Sequence, residues 1–170
     1  NVVKVLCFCH PDDTPEMFDA HEETIKRLFA AARRNRLEFL LEIIPSKVGA
    51  VDDDTNATLI RWFYDIGIYP DWWKLEPMAS KAAWENACNA ITDNDPNTRG
   101  IVVLGLDAPE ASLADSFRIA AGFPLVKGFA VGRTIFARAA REWLAGTMSD
   151  EDAIEDMQGR YQRLCTIWQE

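Results

Sequence analysis

One local pattern occurs five times along this chain: a short run of apolar and β-branched residues that stops near a Pro, Gly or Asp, followed by a stretch with helical periodicity. No tight hairpin signal joins any two of the runs. Strands connected in this way need crossovers, so the pattern confines the chain to a parallel α/β sheet with helices packed against it.

Val2–His10 (VVKVLCFCH) is the first such run and stops at Pro11, Asp12 and Asp13. A run this continuously apolar reads as a strand. Asp13 is placed to cap the helix that follows, with Pro15 in its first turn and Glu16 three residues past the cap, and the helix is expected to reach about Arg36. Leu37–Ile44, Asp71–Glu76, Ile101–Leu106 and Leu125–Val131 are the later strands. Helices are expected over Thr55–Ile66, Ser80–Thr92, from near Pro109, over Thr134–Leu144, and over a closing amphipathic stretch, Ser149–Trp168.

With 170 residues, 48% of them hydrophobic, the chain is sized for one domain, residues 1–170. Two architectures satisfy the repeat. One is a flavodoxin-like, open, doubly wound sheet of about five strands. The other is part of an eight-stranded (β/α) barrel, a TIM barrel, which normally takes about 250 residues.

The formal net charge of −9 sets the chain against phosphate backbones and anionic lipid, so neither nucleic acid nor a membrane surface is expected as a partner. No apolar run approaches the roughly 20 residues of a membrane span, and no secretory signal opens the sequence. A cytoplasmic protein is the expectation. Cys7, Cys9, Cys88 and Cys165 form no metal-ligand spacing and read as buried free thiols. With only two histidines, His10 and His21, no metal site is expected, and His21 is assigned to a helix surface.

Charged residues inside parallel strands are costly unless they are paired or line a site. Lys4, Glu42, Lys74, Glu76 and Lys127 are the charges of note in this position. Lys74 and Glu76 are two apart and share a face, and Glu42 near the end of the preceding strand can reach that face. An amine withdrawn from water beside a second cation such as Lys4 spends part of its time neutral, and a neutral amine attacks carbonyl carbon. Glu42 or Glu76 could move the protons that imine chemistry requires. Read from the residues alone, catalysis and a structural ion pair are about evenly placed.

A second signal follows the last strand. Gly132 and Arg133 stand where a helix begins, so backbone N–H groups lie beside a guanidinium, as a phosphate cradle needs. Gly105 and Asp107 end the neighbouring strand and are candidates for the same rim, although Asp107 could equally cap the next helix. His10, at the end of the first strand, is placed to point into that rim and touch substrate. Trp62, Trp72, Trp73 and Trp84 read as packing.

The segments VVKVLCFCHPDD, FLLEIIP, DWWKLEP, GIVVLGLDAPE and LVKGFAVGRTIF, in this order and spacing, resemble the aldolase-like domain found C-terminal to 5-dehydro-2-deoxygluconokinase in bacterial myo-inositol catabolism proteins, and more distantly the tagatose-bisphosphate aldolase group of class I aldolases. The resemblance implies a partial barrel made of the later strands only, the C-terminal portion of a longer one. It implies a Schiff-base lysine at Lys74, an assisting glutamate at Glu42, Lys4 near the active centre, and a phosphate position at Gly132 and Arg133. Gly105, Asp107, His10 and Glu76 are then further substrate-binding candidates.

The implied substrate is a phosphorylated keto sugar or sugar acid, cleaved without a cofactor to dihydroxyacetone phosphate and, for the inositol pathway, malonic semialdehyde. The alternative is a silent sugar-phosphate-binding or scaffold domain attached to a sugar kinase. Either way the open edges of a partial barrel are expected to be covered, by another copy in a homo-oligomer or by more of a longer chain fused to the kinase.

Overall fold

The computed structural model describes residues 1–105 and 110–169, with the side chains of 110–112 left aside. Strand and helix alternate throughout: β1 (Val2–Cys7), α1 (Pro15–Arg34), β2 (Glu38–Ile43), α2 (Thr55–Asp65), β3 (Trp72–Leu75), α3 (Lys81–Asn94), β4 (Gly100–Val103), α4 (Glu110–Ala121), β5 (Val126–Phe129), α5 (Arg133–Leu144) and α6 (Asp150–Gln169). A short 3-10 turn, Pro45–Lys47, follows β2. Every strand pairing is parallel, and the strands lie side by side in the order of the sequence.

That order decides between the two architectures. A doubly wound sheet reverses direction at one point, which places helices on both faces. Right-handed crossovers that always step the same way leave all the intervening helices on one face. The flavodoxin-like alternative is therefore set aside. The sheet is a partial barrel of five strands that does not close, with β1 and β5 at its ends.

The two faces of the sheet differ in chemistry because side chains alternate along each strand. Phe39, Leu41, Ile43, Trp73, Leu75, Ile101 and Val103 point into the helix layer and are fully buried. Trp73 packs against Phe63 and Tyr64 of α2, with centroids 5.9 and 5.7 Å away, and its Nε1–H donates to the Tyr64 hydroxyl at 3.0 Å. Burying one such indole contributes roughly 5 kcal/mol of gross transfer free energy. On the opposite, concave face stand Lys4, Leu6, Glu38, Glu42, Trp72 and Lys74, in a register that sets Glu42 beside Leu6 on one side and Lys74 on the other.

Several boundaries differ from the sequence reading. Thr14, not Asp13, caps α1: its side chain accepts from the Met17 N–H, with Pro15 in the first helical turn, where its missing N–H is no loss. Asp13 instead accepts from the His10 N–H at 2.8 Å. The strands also stop early, β1 at Cys7, β3 at Leu75, β4 at Val103 and β5 at Phe129. Single backbone bonds continue the ladder past those ends, from Leu104 N–H to the Leu75 carbonyl and from Ala130 N–H to the Val103 carbonyl, before the chain turns outward to form the rim.

Trp84 is buried and donates to the Met78 carbonyl, while Trp62 packs on Phe18. Trp72 departs from this pattern. It stands on the concave face, where its Nε1–H donates to Glu38, whose other oxygen pairs with Arg99 at 2.9 Å. His21 is not a surface residue as expected, because its ring sits partly buried between Cys7 and Asp13. All four cysteines are free, and Cys7 and Cys9 are buried. Helix α6 packs on α4 and α5, with Trp168 against Phe117 and Phe129. Among the described residues no helix is long and apolar enough to cross a membrane.

Candidate functional site

A cavity of about 340 Å³ opens at the C-terminal ends of the strands, the end at which barrel enzymes place their chemistry. It is lined from β1 by Lys4 and Leu6 and from just past it by Phe8, from β2 by Glu42 and from the turn after it by Lys47, from β3 by Lys74, and from the β4 and β5 ends by Gly105 and by residues from Ala130 to Thr134, with Phe136 behind them.

Its centre is an acid between two amines. Lys74 Nζ lies 3.1 Å from Glu42 Oε1, and Lys4 Nζ lies 2.8 Å from Glu42 Oε2. The β2–β3 register explains the first pair, since Glu42 and Lys74 are direct neighbours, whereas Lys4 reaches across from two residues further back on β1. The Lys74 side chain is only 17% exposed and that of Lys4 48%, so Lys74 is the more desolvated amine. Oε2 is buried, and the Lys4 ammonium approaches it off the line that a hydrogen bond needs. That oxygen has the Lys4 ammonium as its ionic partner.

The glycines let the β4 and β5 ends close on one another. A Cβ on Gly105 would stand 2.8 Å from a methyl of Val131, and one on Gly132 would stand 3.1 Å from the Phe136 ring. Gly132 is the N-cap of α5, whose Ile135 and Phe136 N–H groups bond its carbonyl, and Arg133 opens the helix. The first-turn N–H groups and their partial positive charge therefore lie at the cavity wall beside Arg133.

Three candidates from the sequence lie elsewhere. Glu76 falls past the end of β3 and is buried, accepting from Ser46 N–H at 3.1 Å through one oxygen and from the Ser46 hydroxyl through the other. Burial pushes its carboxyl above the usual range, against the opposing effect of the two Ser46 bonds. His10 is buried too: its Nδ1 accepts from Asp12 N–H, so Nε2 carries the proton and donates to the Ala50 carbonyl at 2.8 Å. Both residues hold the loop after β2 and do not line the cavity. Lys127 turns to the opposite end of the sheet and donates to the Pro124 carbonyl. Asp107 lies outside the described residues.

The sequence reading did not single out Lys47 or Thr134. Thr134 follows directly from the Gly132-Arg133 turn, but nothing in the pattern around Lys47 separates it from a surface loop lysine. A larger trough of about 760 Å³ runs along α1 among residues such as Arg27, Leu28 and Arg34, and brings no acid and nucleophile together. Among the described residues no group of three or more His, Cys, Asp or Glu side chains is placed to hold a metal.

Residues 1–170 match the family described as an uncharacterized protein conserved in bacteria, DUF2090. The chain belongs to the DUF2090 family. No curated protein matches it. Among solved structures, this DUF2090 chain is similar to fructose-bisphosphate aldolase from Plasmodium falciparum, with a TM-score of 0.66 at 14% identity over 96% of this chain and 55% of that one. It is similar also to Cgl0159 from Corynebacterium glutamicum (0.63, 18% identity, 96% and 51%) and to a Schiff-base-forming fructose-1,6-bisphosphate aldolase (0.55, 16% identity, 96% and 58%). The fold of this DUF2090 member is aldolase-like, and the chain spans about half the length of the structures it matches.

Proposed function

We propose that this chain is the lysine-bearing part of a class I aldolase-like barrel that cleaves a phosphorylated keto sugar acid by retro-aldol chemistry. The observation that carries the reading is the Lys74–Glu42–Lys4 cluster at the strand ends, where a buried carboxylate stands between two amines. Its likeness to aldolases of known structure supports the fold that such chemistry uses.

In this mechanism the neutral Lys74 amine adds to the ketone carbon, and loss of water from the carbinolamine leaves an iminium ion. Glu42 takes the proton from the hydroxyl on the far side of the bond to be broken. The carbon–carbon bond then cleaves, its electron pair passes into the iminium to form an enamine, and an aldehyde departs. Protonation of the enamine carbon and addition of water release the second product as a ketone and restore the amine. Lys4 balances the carboxylate charge through the cycle, and Arg133 with the α5 N-terminus holds the phosphate. For a 2-deoxy-5-keto sugar acid with a terminal phosphate the products are malonic semialdehyde and dihydroxyacetone phosphate, which suits myo-inositol breakdown and attachment to a sugar kinase.

The exposed concave face favours one other reading. Leu6 is 39% and Phe8 49% exposed, which suits a sheet covered in the whole protein, and the domain could then serve a kinase partner as a silent sugar-phosphate-binding support.

Borohydride reduction in the presence of dihydroxyacetone phosphate separates the two. A secondary amine mapped by mass spectrometry to Lys74, lost in Lys74→Ala and kept in Lys127→Ala, is expected. Labelling of Lys4 instead, or no label, would sink the imine assignment.

A further inference from the structure

The cavity gathers more positive charge than the imine chemistry needs. Lys4, Lys47, Lys74 and Arg133 line it, against Glu42 as the one carboxylate among its lining residues, in a chain whose formal charge is −9. Lys4 and Lys74 both pair with Glu42. Lys47 makes no ion pair among those described, and it stands on the β2 side, whereas Arg133 stands beyond β5. At about 4.8 Å per strand spacing the two cations are separated by roughly 14 Å of sheet, with the Lys74 strand between them. Curvature of the sheet brings both to one cavity of a volume that suits a small molecule.

The turn that carries Lys47 is held from both sides. Ser46 donates its N–H and its hydroxyl to buried Glu76, while Val48 and Gly49 N–H groups bond the Pro45 carbonyl. Four residues after Ser46, the His10 ring donates to the Ala50 carbonyl, and a Cβ on Gly49 would come within 3.0 Å of that ring. These contacts fix the Lys47 backbone at the cavity wall, so the loop itself has little ordering left to lose on binding a ligand.

We propose that Lys47 is a second anion anchor, set opposite Arg133, which makes the cavity selective for sugar phosphates that carry a carboxylate at the other end. The inference rests on the reading of this site as one for a phosphorylated keto sugar acid, and it names the group that recognises the acid. Glu76 and His10 are positioning residues for that loop.

The test is equilibrium binding of two phosphates that contain no ketone: 6-phosphogluconate, with a carboxylate at C1, and glucitol 6-phosphate, with a hydroxyl there. Wild type is expected to bind the acid about tenfold more tightly, the size of one charge-assisted hydrogen bond. Lys47→Met should bind both ligands as wild type binds glucitol 6-phosphate, and Lys47→Arg should retain the preference. Equal affinities in wild type, an unchanged preference in Lys47→Met, or no binding of either ligand would overturn the proposal. Neither ligand can form an imine, so failed borohydride trapping with intact selectivity would count against the aldolase reading alone.

Discussion

Glu42→Gln removes the charge that holds two ammonium groups on the concave face while keeping the shape of the side chain. At an effective dielectric of about 20, separations of 2.8 and 3.1 Å correspond to roughly 6 and 5 kcal/mol of gross attraction. Much of that is offset by withdrawing the carboxylate from water, and breaking a buried pair typically costs about 3–5 kcal/mol net. Lys4 is half exposed, so its share is screened and the expected loss falls to about 2–3 kcal/mol. Urea unfolding followed by tryptophan fluorescence reads this directly, since Trp72 and Trp73 adjoin Lys74 in β3. The combined variant Lys4→Met, Glu42→Leu and Lys74→Met should regain stability to within about 1 kcal/mol of wild type, because an apolar layer needs no counter-ion. If Glu42→Gln unfolds within about 0.5 kcal/mol of wild type, or the triple variant is no more stable than Glu42→Gln, the cluster is not held by its central charge.

Two other expectations concern residues around the site and the sheet. Burial raises the Glu76 carboxyl above its ordinary value of 4.5, so the folded state holds the proton more tightly than the unfolded chain. Its contribution to stability is therefore complete below pH 4.5 and is lost as pH rises through the folded-state value. Relative to Glu76→Gln, wild type should lose stability from about pH 4.5 upward, and a difference in unfolding free energy that stays constant from acid to neutral pH would contradict this. Gly100 begins β4 at φ +134°, and an added Cβ would stand 2.5 Å from the Leu125 carbonyl oxygen. Gly100→Ala should cost at least about 2 kcal/mol. Gly159→Ala, inside α6 and open but for the end of Arg163, should stabilise by about 0.5–1 kcal/mol, and thermal unfolding of both variants checks the contrast.

The repeat of strand and helix and the parallel sheet were legible in the sequence, because hydrophobic period is local and each element writes its own. Lys4, Glu42 and Lys74 were legible for a related reason: a charge inside an apolar strand is conspicuous, and alternation along the strand assigns its face. The ends of elements were less so. Strands stop where a neighbour stops offering partners, which took Glu76 and His10 out of the strands and into loop contacts that no local pattern announces.

Tertiary structure alone decided three things. Strand order, which distinguishes a partial barrel from a doubly wound sheet, depends on which way each crossover steps, and both arrangements satisfy the same apolar periodicity. The off-line approach of Lys4 to a buried Glu42 oxygen depends on ångström-scale geometry across two strands. The turn that sets Lys47 at the cavity is held through Ser46 and Ala50 by side chains from other parts of the chain, 30 and 40 residues away in sequence. A sequence specifies what each segment prefers to bury. Which distant segments then meet is set by the packing of the whole.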